Sequence, residues 1–131
     1  MNQEDKELLL KDLSARLPYD VMVNVDGYDT EKLIGIENET ITTKATPTSY
    51  SDKGEYPIDI VKPYLRPMSS MTAEENKEYY KTFRAESYGR GYVYVESIKS
   101  YDWLNAHHFD YRSLIEKGLA IEVTEENNPY V

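Results

Sequence analysis

The chain contains no cysteine, which removes disulfides, thiolate nucleophiles and cysteine-based zinc sites from consideration. Basic residues are scarce: 15 Lys and Arg against 24 Asp and Glu leave a net charge of −9. Nucleic-acid binding rests on cations that neutralise phosphates, so this field opposes it, and no Lys/Arg cluster stands out along the chain. The acidity reads first as a solubility device and second as attraction to a basic protein partner. No apolar run approaches the roughly 20 residues that a membrane-spanning helix needs. The opening "MNQEDKELLLKD" is acidic and amphipathic. It lacks a basic n-region, an apolar h-region and a small-residue cleavage site, so the expectation is no signal peptide, no membrane association and a cytoplasmic location.

Catalytic signatures are missing as well. There is no Walker A loop, G-x-G-x-x-G or G-x-S-x-G, and "YGRGY" is too short to cradle a phosphate. The hydroxyls of "SSMT" are explained by a helix start, and the pairs Glu74/Glu75 and Glu125/Glu126 read as solvated charge. No catalytic residue and no cofactor is assigned.

What the chain does have is tyrosine, 13 of them against two phenylalanines and one tryptophan. A ring with an apolar body and a polar tip suits half-buried positions and recognition surfaces. Tyr79, Tyr80, Tyr88, Tyr92 and Tyr94 are the candidate contact residues for a protein partner, each with core-edge packing as the plainer explanation.

Hydrophobic periodicity outlines the elements. Residues 3–17 predict a helix, with Leu10, Leu13 and Leu17 on one stripe and Leu9 widening it, ended by Pro18. "VMVNV" alternates as a strand, with Val21, Val23 and Val25 on one face and Met22 and Asn24 on the other. "KLIGIE" returns with a bulge or bend at Gly35. "ETITTK" follows a tight corner at Glu37–Asn38, then a loop over 45–54, then "YPIDIV". Pro63 and Pro67 make "KPYLRPMSSM" an irregular connector over the sheet. Thr72 and Glu75 form a capping box for a thinly apolar helix from Ala73 to about Arg84. "SYGRG" breaks the chain before the strand "YVYVES". The expected class is α+β: an N-terminal helix, a bent antiparallel meander or small open barrel, then C-terminal helices and a returning strand. One domain spans 1–131, with 1–67 as helix plus meander and 68–131 as a helical part with added strands.

The two histidines sit side by side in "NAHHFDYR". His107 and His108, with Asp102 or Asp110, form the alternative reading, a metal-dependent enzyme. Neighbouring residues of a helix diverge by about 100°, so both rings rarely reach one ion. The structural reading has one histidine capping the carbonyls that end its helix and the other packed beside Trp103. Asp110 then N-caps a short helix, Tyr111 to Glu116, with Phe109 and Leu114 as a hydrophobic staple. Gly118 closes it in a Schellman ending against Leu119, before "LAIEV" leaves as a strand.

The blocks "VKPYLRPMSSMTAEENKEYY" and "WLNAHHFDYRSLIEKGLAIE", preceded by "KELLLKDLSARLPYDVMVNV", resemble a family of small uncharacterised proteins that recurs in gut anaerobes, their prophages and other mobile elements. The resemblance covers most of the chain. It implies a bacterial cytoplasmic setting and a phage-related role, and it carries over no functional residue. The resulting expectation is a non-catalytic module that binds an unidentified protein, with nucleic-acid association as a further alternative.

Overall fold

A computed structural model describes residues 1–27, 29–45 and 53–131. Helix α1, Gln3–Arg16, starts where the Asn2 side chain accepts the Asp5 N–H, and Pro18 opens a 3-10 turn after it. Four strands then form a meander: β1 (Met22–Val25), β2 (Asp29–Glu37), β3 (Thr40–Ala45) and β4 (Lys53–Pro57). The rest of the loop expected over 45–54 lies outside the described residues. The bulge at Gly35 is present as a register shift between Leu33 and Gly35. Asn38, at the β2–β3 corner, has φ +54.

"VKPYLRP" is not a connector but strand β5, Val61–Pro67. It pairs antiparallel with β1 and parallel with the two-residue strands β8 (Phe109–Asp110) and β9 (Ile121–Glu122). Both prolines fit because of parity. Successive strand residues direct their backbone groups to opposite edges, and even-numbered residues of β5 face β1. Pro63 and Pro67 therefore lack an N–H only on the β9 edge, where pairing is confined to Tyr64 and Leu65. No ladder bond is lost.

The sheet order is β4-β3-β2-β1-β5-β8, with β9 on the other edge of β5. Flat, β4 and β5 would lie about 19 Å apart. The turn Ile58–Ile60 that joins them spans at most about 14 Å. The sheet is therefore forced to curl, and it forms an open half-barrel rather than a closed one. Val21, Val23, Val25, Leu33, Ile41, Val61 and Leu65 line its inner face, covered by Leu9 and Leu13 of α1. The α+β class is as the sequence predicts, and Val21, Val23 and Val25 share the inner face. Burial does not alternate strictly, because Asn24 on the other face is also buried, bonded to the Tyr64 hydroxyl.

The buried stripe of α1 is rotated from the one expected. Leu9, Asp12, Leu13 and Arg16 are buried, while Leu10 and Leu17 only flank the core. Positions 9, 12, 13 and 16 form a proper helical face; the three leucines at 10, 13 and 17 outweigh it on hydropathy alone.

Helix α2 runs Ala73–Tyr80 with the capping box in place. It is shorter than expected, because "RAESY" turns out to be strand β6 (Arg84–Tyr88), hairpin partner of β7 (Gly91–Val95). Helix α3, Ile98–Ala106, follows. Tyr79, Leu104 and Phe109 form a second core with Met71, Phe83, Trp103 and Tyr111 around it. No helix among the described residues is long and apolar enough to cross a membrane.

Candidate functional site

At the end of α3, His107 turns its ring back so that Nδ1 lies 2.9 Å from the Trp103 carbonyl. The ring stacks on the Trp103 indole, centroids 4.0 Å apart. One histidine thus does both jobs that the sequence divides between two. His108 instead adopts φ +63, a left-handed turn that feeds the chain into β8. Its carbonyl accepts the Arg66 N–H at 2.7 Å, and its ring lies face to face with Tyr130 at 3.7 Å.

Burial, followed by the nearby Arg16 charge, lowers the His108 pKa from 6.5 to about 4. Its folded-state value lies below the unfolded one, so its contribution to stability is complete above about pH 6.5. We predict a loss on the order of 2–3 kcal/mol as pH falls from there to about 4. An NMR titration of the His108 ring checks this, and a midpoint at or above 6.5 contradicts it.

Beside this turn lies a buried ion cluster. Asp12 accepts Arg16 Nε at 2.8 Å and Arg112 Nη1 at 2.8 Å. Arg16 Nη2 donates to the Phe109 carbonyl at 2.6 Å. Asp12 and Arg16 are fully buried, and Arg16 and Arg112 both lie over the Tyr111 ring. Arg16 Nη1 and His108 Nδ1 are buried without a hydrogen-bond partner among the described residues. A second pair holds α2 to the sheet. Arg66 forks onto Glu75 through two 2.8 Å bonds, and these bonds bring the Glu75 carboxyl down to about 2. Arg66 also lies 4.1 Å above the Phe109 ring.

Asp110 does act as a cap, though not of the predicted helix. Its carboxylate accepts the Leu114 and Ile115 N–H groups. A single turn follows in place of a helix over Tyr111–Glu116, because Ser113 takes φ +60. The staple is absent: Phe109 belongs to the second core and Leu114 to the first. The ending is as expected, with Leu119 N–H bonded to Leu114, Gly118 N–H bonded to Ile115, and Gly118 at φ +72.

Tyr130 completes the joint. Its hydroxyl accepts the Met22 N–H at 3.1 Å and donates to the Tyr64 carbonyl at 2.7 Å. By parity the Tyr64 carbonyl lies on the edge of β5 that serves β1 below and β8 above, and the Met22 N–H faces it from β1. The hydroxyl therefore stands as a rung between the two strands.

The tyrosine candidates divide. Tyr79 is a correction: it is 8% exposed, its ring packs edge-on to Phe83, and its hydroxyl donates to Glu96. Burial and Glu96 both raise its pKa. It supports the base of the hairpin rather than a contact surface. Tyr80 is on the exposed side of α2. Tyr88, Tyr92 and Tyr94 are each more than 70% exposed on the β6–β7 hairpin, which pairs with no other strand among the described residues. Cross-strand register puts Tyr92 opposite Ser87 and Tyr94 opposite Ala85, so two rings stand side by side over small residues. At the base, Ser97 Oγ donates to the Thr82 carbonyl at 2.6 Å, which ties the end of β7 to the end of α2.

No protein-family model matches the chain, nor does any curated protein or solved structure. The site is read from its chemistry alone. His107 and His108 diverge to Trp103 and Tyr130, and among the described residues no group of three or more His, Asp or Glu is placed to hold a metal ion. The joint is built from ring stacking and ion pairs, and the hairpin carries the three most exposed of the candidate tyrosines.

Sequence reasoning missed Asp12, Arg16, Arg112 and Tyr130. The i, i+4 spacing of Asp12 and Arg16 is a detectable ion-pair signal, but it reads equally well as solvated charge. Nothing local marks Arg112 or Tyr130, whose partners lie 100 and 108 residues away.

Proposed function

We propose that the protein is a non-catalytic interaction module, acting in the cytoplasm of a bacterial host, whose contact surface is the β6–β7 hairpin. Tyr88, Tyr92 and Tyr94 are its principal rings and Tyr80 stands nearby. The observation that carries this reading is the exposure of three rings, each above 70%, on an arm clamped at its base and otherwise uncovered. Tyrosine loses little conformational freedom on binding and is concentrated in interface hot spots. Tyr92 and Tyr94 share one face of the hairpin and Tyr88, opposite Gly91, lies on the other; exposed aromatic surface of this kind marks an association site.

The acidity of the chain does not extend to the arm itself, which carries Arg84 and Arg90 against Glu86. The rings therefore supply the contact, and the −9 body biases which surfaces approach. The resemblance to proteins of prophages and mobile elements supports a host or phage protein as partner.

Affinity capture from a bacterial lysate at low salt tests this. The wild-type chain is expected to retain proteins that a Tyr88→Ser/Tyr92→Ser/Tyr94→Ser variant loses by at least about tenfold, a hot-spot-sized effect. Identical retention by both, with the variant folded, would refute the reading.

A further inference from the structure

Among the described residues, no strand pairs with the outer edge of β7. The Tyr88↔Gly91 pair closes a two-residue turn in which Gly89 has φ +58, the glycine-first pattern of a type II′ hairpin. Such a turn bonds the Gly91 N–H to the Tyr88 carbonyl. Alternation along the antiparallel ladder then gives bonded pairs at 86↔93 and 84↔95. The backbone groups of Tyr92 and Tyr94 are left pointing away from β6.

Proteins guard such edges with charge, proline or a bulge. The segment "GYVYV" has no charge and no proline, and its register is continuous. Strand β6 differs, since Arg84 and Glu86 form an ion pair at 2.5 Å along it.

We infer that β7 pairs antiparallel with β7 of a second copy of this chain, about a two-fold axis through Val93, to give a four-stranded sheet. The register is self-complementary. Tyr92 meets the partner's Tyr94 and Tyr94 meets the partner's Tyr92, so the residues with outward backbone groups oppose one another and exchange four N–H···O bonds. Val93 faces the partner's Val93 as the non-bonded pair at the axis. Because Tyr92 and Tyr94 share a face, pairing sets four rings on one face as two adjacent cross-strand aromatic pairs, an arrangement that stabilises a sheet. No charge opposes its own copy along the strand.

The inference rests on the reading of the hairpin as a contact surface and adds a second copy of the chain to what that surface binds. Two rings and a valine from each copy cover less than the roughly 1,200 Å² of stable complexes. The dimer is accordingly weak and concentration-dependent. Each body carries −9, so salt strengthens the dimer by screening their repulsion, opposite to its effect on capture of a basic partner.

Sedimentation velocity from about 10 μM to about 1 mM, at about 50 mM and about 500 mM salt, tests it. The mass should rise from 15.3 kDa towards twice that value, further at high salt. V93K should raise the apparent Kd at least about tenfold, because like charges meet at the axis. Val93 lies opposite Glu86 in the hairpin, so the new cation is accommodated within a single chain and the melting temperature should hold. A monomer at every concentration, a plateau above two copies, or unchanged association by V93K would each overturn the inference. If V93K still captures the lysate partners, the proposed function stands without the dimer. If the dimer forms but the triple tyrosine variant loses no captured protein, the dimer stands and the wider reading falls.

Discussion

Asp12→Ala is expected to destabilise the protein by about 3–5 kcal/mol, the usual cost of leaving one buried charge without its partner. Asp12 is fully buried and its two oxygens serve different arginines, Arg16 on its own helix and Arg112 far along the chain. Alanine would leave Arg16, also fully buried, with the Phe109 carbonyl as its remaining bond. It would also release the 111–113 segment from α1. Urea denaturation measures the effect as a fall in midpoint with an unchanged slope. Lys11→Ala, on the exposed side of α1, is the control and should stay within about 0.5 kcal/mol. Replacing the whole pair with apolar residues, Asp12→Leu/Arg16→Met, should recover much of the loss, since desolvation offsets most of what a buried pair contributes. A single-variant loss below about 1 kcal/mol would mean that Arg16 reaches solvent when its partner is removed.

Tyr130 variants should rank in order. Tyr130→Phe keeps the ring on His108 but removes the hydroxyl that satisfies both the Met22 N–H and the Tyr64 carbonyl. Orphaning these groups is expected to cost about 1–3 kcal/mol. Tyr130→Ala also deletes a ring stacked at 3.7 Å and should cost about 3–5 kcal/mol, the range for losing a packed aromatic. Amide hydrogen exchange gives a readout that mere loss of packing would not move. The Met22 N–H should lose protection in the phenylalanine variant while Asp26, bonded to the Ile60 carbonyl at 2.7 Å, keeps its own. Equal protection at Met22 in wild type and Tyr130→Phe would disprove the bridging role.

Elements with a local cause were legible in the sequence. The alternation of Val21, Val23 and Val25, the Thr72–Glu75 box, the Gly35 bulge and the Gly118 ending all follow from contacts within a few residues. Failures arose where distant partners decide. Pro63 and Pro67 suggest an irregular path until the neighbours of β5 are known, and only then does parity show that neither missing N–H was needed. The helix expected over Tyr111–Glu116 has good capping chemistry. Arg112 is drawn instead towards Asp12, and the chain turns at Ser113. For the surface, tyrosine abundance did not separate Tyr79, buried against Phe83, from the exposed Tyr88, Tyr92 and Tyr94. That separation depends on "RAESY" being a strand, which a helical stripe ending in Phe83 conceals.

Strand β5 has an implication for how the chain reaches its native state. One of its edges is shared end to end by residues 23–25 and 109–110, and the other is taken by residues 121–122. The first half of the chain can thus assemble its meander early, but β5 stays half-paired until the last quarter arrives. A cut between residues 67 and 68 would separate β5 from β8 and β9. These pairings are non-local, the kind of contact that slows the folding of a small protein. The histidine joint is where the late closure is made.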